Sequence, residues 1–284
     1  MTVLRQFYDV LYHLRYSIFM TLMTVRPISK EVKTPTWLYT ALWFLVAAHV
    51  LRGVFTLLFF FPFIRSTSKK QHIQRWSRRL LRIFGIELQV NNADIFSSAS
   101  FLLVSNHVSW MDIHVINSFK PIRFVAKSEV AKWPIFGWMA KQLGTVFIRR
   151  DSPRHARQVV VELAELLKTQ SICLFPEGTS TIGTGVQPFK ANLFEAAVLA
   201  EVPVYTLAIA YFDQNSGLHS EVPAFVGDMG LISSMARMLR NRRMRAVLNF
   251  FPPAGASPQP PRDRKWLALH SQEQIAQYLL NHCT

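Results

Sequence analysis

Between Trp37 and Ile64 the chain carries 28 residues so apolar that only His49, Arg52 and Gly53 interrupt them, and no other feature limits the fold as strongly. At about 1.5 Å per residue, one helix of this length crosses a hydrocarbon core roughly 30 Å thick. Arg52 near its centre costs about 2.5–3.5 kcal/mol on insertion scales, offset by snorkelling and by Leu and Phe neighbours. The other arrangement is a re-entrant hairpin broken at Arg52-Gly53, with arms of about 15 and 11 residues, each too short to cross. Residues 37–64 are therefore read as a transmembrane or re-entrant membrane segment.

Arg65, Lys69, Lys70, Arg75, Arg78, Arg79 and Arg82 follow at once, with no acidic residue before Glu87. Under the positive-inside rule this flank places the following domain on the cytoplasmic side of the membrane. Ile73, Trp76, Leu80 and Phe84 recur at helical spacing while the arginines take other faces, which reads 65–86 as a basic interfacial helix. The alternative is a solvated helix packed on the domain. Residues 1–36 mix large apolar side chains with Arg5, Arg15 and Arg26 and lack a small-residue cleavage site, which fits an amphipathic N-terminal segment rather than a removable signal. Half of the residues are hydrophobic and the formal net charge is +15. A nucleic-acid binder is basic but rarely so apolar. An anionic membrane surface accounts for both properties, so membrane lipids are the expected partner and nucleic acid is not.

From residue 86 onward short apolar runs alternate with helical patterns, which predicts an α/β fold: a single catalytic domain over 87–253 with a mixed central sheet flanked by helices. The strands are expected at 87–90, 101–105, 122–126, 144–148, 171–175, 204–211 and 245–250. Helices are expected near 109–118, 134–142, 153–169, 189–200, 231–241 and 264–281. Residues 254–284 form a Pro-rich linker and a last helix. Cys173 and Cys283 have no metal-ligand spacing, and Cys173 reads as a small buried hydrophobe.

Directly after the apolar run 101–105 stands Asn106-His107-Val108-Ser109-Trp110-Met111-Asp112. In a continuous helix two residues five apart diverge by about 140°, so His107 and Asp112 meet only if His107 lies in the turn before a helix and Asp112 in its first turn. Ser109 followed three residues later by Asp112 reads as such a helix start, with a capping box. An imidazole held by a carboxylate is a suitable general base near neutral pH and takes a proton from a hydroxyl. Taken alone, the pair also reads as a capping Asp beside an incidental His.

Three further blocks follow in order. Gly144-Thr145-Val146-Phe147-Ile148-Arg149-Arg150 delivers two guanidiniums at a strand end, which suits bidentate phosphate recognition or a plain solvated strand end. Phe175-Pro176-Glu177-Gly178-Thr179-Ser180 reads as a turn presenting backbone N–H groups to an anion, with a carboxylate that an ordinary turn leaves unexplained. Val202-Pro203-Val204-Tyr205 opens another apolar strand. The Gly-x-Ser-x-Gly elbow of serine hydrolases and the phosphate loop of nucleotide enzymes are both missing from the sequence.

His-x4-Asp, Gly-x-x-Phe-Ile-x-Arg, Pro-Glu-Gly-Thr and a Val-Pro strand, in this order from about residue 100 to 212, resemble the glycerolipid acyltransferase family that contains the 1-acyl-sn-glycerol-3-phosphate (lysophosphatidic acid) acyltransferases. The resemblance implies His107 as base and Asp112 as its orienting partner. It matches Arg150 to the Arg of the second block, puts Glu177, Gly178 and Thr179 in the acceptor site, and makes Lys127 a phosphate-binding candidate. It implies direct transfer of an acyl chain from a thioester, acyl-ACP or acyl-CoA, to the 2-hydroxyl of 1-acyl-sn-glycerol-3-phosphate, making phosphatidic acid, with no bound cofactor or metal. Many members carry Arg after Pro-Glu-Gly-Thr, where this chain has Ser180. Either Lys190 or another cation covers the acceptor phosphate, or the acceptor is another lyso-lipid such as lyso-ornithine lipid. A rival of another class is a non-catalytic membrane protein that binds anionic lipid. The run Arg237, Arg240, Arg242, Arg243, Arg245 is expected to dock an acidic acyl carrier protein or to lie near anionic lipid.

Overall fold

The computed structural model describes residues 33–96, 98–149, 153–254 and 263–283. The amphipathic segment expected at 1–36 falls almost wholly outside the described residues, as does most of the Pro-rich linker. Helices α1 (Thr36–Phe59) and α2 (Ser66–Phe84) precede β1 (Ile86–Asn91), β2 (Leu102–Ser105), α3 (Asp112–Phe119) and β3 (Arg123–Lys127). A short 3-10 turn, α4 (Phe136–Gln142), β4 (Val146–Ile148), α5 (Pro153–Leu167) and β5 (Ile172–Leu174) follow. The chain ends with α6 (Glu195–Leu199), β6 (Val204–Asp213), α7 (Leu231–Arg240), β7 (Met244–Phe251) and α8 (Arg264–Cys283). Every expected strand is present within a few residues of its sequence-based bounds.

The described strands form one sheet in the order β1-β7-β6-β2-β5-β3-β4. Strands β2 to β6 run parallel, β7 is antiparallel to β6, and β1 is parallel to β7. The continuous apolar runs of β2 and β6 belong to its centre, where both faces are covered. Alternate residues feed two cores. Leu103, Leu207, Ile209 and Tyr211 pack with α1, α2, α3 and α7, whereas Leu102, Val104 and Val204 pack with α5, α6 and α8. Because β2 to β5 are parallel, their last residues Ser105, Lys127, Ile148 and Leu174 share one edge of the sheet, the usual place for a site in an α/β fold.

Helix α1 runs unbroken through Arg52 and Gly53, the position at which the alternative hairpin would turn. The interrupting residues serve close packing instead. Nε2 of His49 lies 3.1 Å from the carbonyl of Trp76, the Trp76 indole N–H donates back to the carbonyl of His49 at 3.2 Å, and the two rings stack at 4.4 Å. A Cβ on Gly53 would lie 2.8 Å from Nε1 of Trp76 and 2.9 Å from the Met139 methyl, so only glycine lets α1 approach α2 and α4 this closely. One face of α1, with Leu42, Val46, Val50 and Leu57, is thereby committed to protein. The opposite face leaves Trp37, Phe44, Leu51, Phe55 and Phe59 exposed, and α1 is long and apolar enough to cross a membrane.

The stripe on α2 meets protein as well. Leu80 and Phe84 are buried, Ile73 and Trp76 pack on the same core, and Gln74 and Arg78 donate to the carbonyls of Phe119 and Ser118 at the end of α3. The stripe expected to face lipid is therefore turned inward, because α1 and α3 supply an apolar partner for it. Arg65, Lys70, Arg75, Arg79 and Arg82 remain exposed.

Gly53→Leu, which overfills the α1–α2–α4 contact, should cost about 1–3 kcal/mol and lower the thermal midpoint of the detergent-solubilised protein. Phe44→Leu on the exposed face should leave that midpoint nearly unchanged. Equal midpoints for Gly53→Leu and the parent would contradict this packing.

Candidate active site

As β2 leaves the sheet after Ser105, the Asn106 side chain takes over its pairing with β6: Nδ2 donates to the carbonyl of Ile209 at 2.9 Å and Oδ1 accepts the Ile209 N–H at 2.8 Å. The backbone is thus free to turn while staying tied to the sheet. His107 stands in that turn. Helix α3 begins at Asp112, three residues later than the sequence suggests, because Trp110 and Met111 form a separate turn; the Ser109 hydroxyl accepts the Met111 N–H at 3.2 Å.

The Asp112 carboxylate, fully buried, folds back over the turn. Its Oδ2 lies 2.8 Å from Nδ1 of His107 and accepts the N–H groups of Val108 at 2.8 Å and Ser109 at 2.9 Å. Its Oδ1 accepts the hydroxyl of Tyr211 at 2.7 Å. A carboxylate only accepts, so Nδ1 carries the proton and the lone pair belongs to Nε2. The His107 side chain keeps 22% of its exposure, enough to reach a substrate. Burial, and then the Asp112 charge, push the Tyr211 phenol well above its usual range, so it remains a donor.

The Pro-Glu-Gly-Thr loop clamps the backbone of the same histidine. Phe175 to Gly178 form a turn closed by the Gly178 N–H to the Phe175 carbonyl at 3.0 Å; Pro176 takes its second position, and Gly178, at φ +72°, carries the chain onward. Glu177 between them is buried. Its Oε1 accepts the His107 N–H at 2.7 Å and its Oε2 accepts the Gln187 N–H at 2.8 Å. The Thr181 N–H donates to the His107 carbonyl at 2.8 Å. Both oxygens of Glu177 thus hold protein backbone rather than facing an acceptor, and Thr179 is exposed beside them.

Lys127 ends β3 on the same sheet edge, next to Ile148 in register, with Arg149 beyond that strand. Arg150 lies outside the described residues. The Ser180 hydroxyl donates to the carbonyl of Phe225. The arginines expected to form a docking face each make contacts within the chain. Arg237 donates to the Ala224 carbonyl, Arg242 to that of Arg82 at 3.0 Å, and Arg243 to Oδ1 of Asn215 at 3.2 Å. Arg240 covers Tyr39 and Arg245 covers Phe212. Tyr211 and Gln187 were missed at the sequence level. Tyr211 had a signal, a phenol inside an otherwise apolar strand, which needs a buried partner.

The Acyltransferase family profile matches residues 87–210. The chain is 34% identical over 211 residues to the lyso-ornithine lipid O-acyltransferase of Pseudomonas aeruginosa, covering 74% of this chain and 79% of that protein. This chain belongs to the acyltransferase family. It is also 32% identical over 184 residues to the 1-acyl-sn-glycerol-3-phosphate acyltransferase of Neisseria meningitidis, covering 64% of this chain and 71% of the relative. The crystal structure of the 1-acyl-sn-glycerophosphate acyltransferase PlsC from Thermotoga maritima shares the fold, with a TM-score of 0.62 at 20% identity over 86% of this chain and 94% of that one. In this acyltransferase the arrangement leaves the Nε2 lone pair of a partly exposed His107 able to accept a proton.

Burial raises the Glu177 carboxyl from its ordinary 4.5 to about 7, against the two backbone N–H bonds, which lower it. Between those values the folded acyltransferase holds a proton that the unfolded chain has released, so this group makes stability fall as pH rises from about 4.5 to about 7. Glu177→Gln has no such proton, and thermal midpoints measured across that window should decline less with rising pH in the variant. Parallel pH curves would contradict the assignment.

Proposed function

We propose that this acyltransferase moves an acyl chain from a thioester donor to the hydroxyl of a lyso-lipid, with His107 as general base. The observation that carries the reading is the Asp112–His107 pair at 2.8 Å, with Nδ1 occupied and Nε2 left for the acceptor. As the acceptor oxygen attacks the thioester carbonyl its proton passes to Nε2; the carbon–sulfur bond then breaks and the departing thiolate takes that proton. No acyl-enzyme is needed, since the thioester is already activated, and the reading calls for no bound cofactor.

Lyso-ornithine lipid is the proposed acceptor. Position 180 offers a hydroxyl turned onto the Phe225 carbonyl, where a phosphate acceptor would call for a cation. The Pseudomonas aeruginosa relative, whose alignment covers more of this chain than the Neisseria meningitidis one, carries that name. The second reading, 1-acyl-sn-glycerol-3-phosphate as acceptor and phosphatidic acid as product, is supported by Lys127 and Arg149 at the ends of β3 and β4.

A net charge of +15 favours an anionic donor carrier, CoA or an acidic acyl carrier protein. The apolar outer face of α1 and the basic outer faces of α2 support attachment to an anionic membrane. The basic flank supports a cytoplasmic catalytic domain.

Purified full-length protein should be given acyl-CoA or acyl carrier protein with lyso-ornithine lipid and with lysophosphatidic acid, and the products read by mass spectrometry. The reading expects a diacylated ornithine lipid in excess and no product from His107→Ala. Phosphatidic acid in excess would replace the first acceptor with the second, and lipid binding without thioester consumption would sink both.

A further inference from the structure

His107 has one more neighbour that its hydrogen bonds do not explain. The Phe175 ring lies flat against the imidazole, centroids 4.2 Å apart and planes 17° from parallel. Behind it Phe124, a buried residue of β3, stacks on Phe175 at 6.2 Å and 16°. Three near-parallel rings thus run from the core to the base. Phe175 is the first residue after β5 and also opens the Pro-Glu-Gly-Thr turn, so its backbone is fixed from both sides.

An aromatic face carries negative quadrupole and attracts a cation lying over it. The imidazole becomes a cation at the moment it accepts the acceptor's proton. Resting on the proposed role of His107 as base, we propose that Phe175 is a positioning residue for the reaction: it sets the plane of the His107 ring and stabilises the imidazolium while the acyl carbon changes partners. The balance of the step is unchanged. The proton moves from the acceptor oxygen to Nε2 and then to the thiolate, the new carbon–oxygen bond forms, and the carbon–sulfur bond breaks.

Ionisable groups bonded to His107 include Asp112 on α3, at Nδ1, and Glu177 on the loop, at the backbone N–H. Tyr211 on β6 reaches it through Asp112. All three are retained when only position 175 is changed, so a difference between variants at that position reports on the ring.

The experiment is the pH profile of kcat/KM for acyl transfer by the full chain in detergent, comparing the parent with Phe175→Leu, Phe175→Met and Phe175→Tyr. Without the π face the imidazolium is less stable, the base loses its proton more readily, and the acid limb moves to lower pH. For Phe175→Leu and Phe175→Met that displacement should be about 0.4–1.5 pH units, whereas Phe175→Tyr keeps the parent limb. The plateau should also fall several-fold in the two aliphatic variants and recover in Phe175→Tyr. A limb position does not depend on the fraction of protein that is folded, so partial unfolding cannot imitate the shift. Limbs that coincide with the parent in both aliphatic variants would overturn the proposal even if rates drop. Inactive His107→Ala alongside such coincident limbs removes the role of Phe175 alone; active His107→Ala removes the base on which it rests.

Discussion

A single buried carboxylate organises this molecule. Asp112 is out of contact with water and would be costly there without partners, and it gathers four donors from two directions: the ring of His107, two backbone N–H groups of the turn, and the phenol of Tyr211. Each bond satisfies the acid and at the same time fixes something else. The two N–H bonds shape the turn that ends β2, the ring bond selects the histidine tautomer, and the phenol ties α3 to β6 across the core. Removing the acid would leave several buried donors unpaired at once.

The second loop completes the restraint. Glu177 and Thr181 hold the N–H and the carbonyl of His107, as Asp112 holds its ring. The two conspicuous blocks of the sequence are therefore one structural device: the first supplies the proposed base, His107, and the second fixes its backbone. This explains why a carboxylate stands inside a turn that Pro176 and Gly178 could form without it. Such preorganisation matters because a base displaced by about 1 Å loses much of its effect. On the far side of the same core, α1 and α2 join through His49, Gly53 and Trp76, so the helix with the exposed apolar face is attached to the layer that carries α3.

Much of this was legible from the chain itself. Short apolar runs and helical patterns locate each described strand and α-helix, and the angular argument on His107 and Asp112 gives their meeting point, because both depend on local geometry. Tyr211, Gln187 and the inward role of Glu177 depend instead on contacts between segments 10 to 99 residues apart, which no spacing rule encodes. The same limit applies to the arginines from 237 to 245. Their partners, the carbonyls of Ala224 and Arg82, Asn215, and the rings of Tyr39 and Phe212, become neighbours only after folding, while Arg240 and Arg243 stay exposed. Likewise His49 and Gly53 looked like flaws in a membrane segment, because their value lies in Trp76 on the next helix.

The most direct test is the initial rate of acyl transfer by Asp112→Asn, measured against acceptor concentration in protein shown to be folded. An amide oxygen in the place of Oδ2 can keep the ring and turn N–H bonds, but the negative charge that stabilises the imidazolium is gone and the NH2 group faces the Tyr211 hydroxyl that Oδ1 had accepted. The account predicts a fall in kcat of about 10²–10⁴ with little change in acceptor KM. A kcat within about threefold of the parent would show that the base does not depend on this carboxylate.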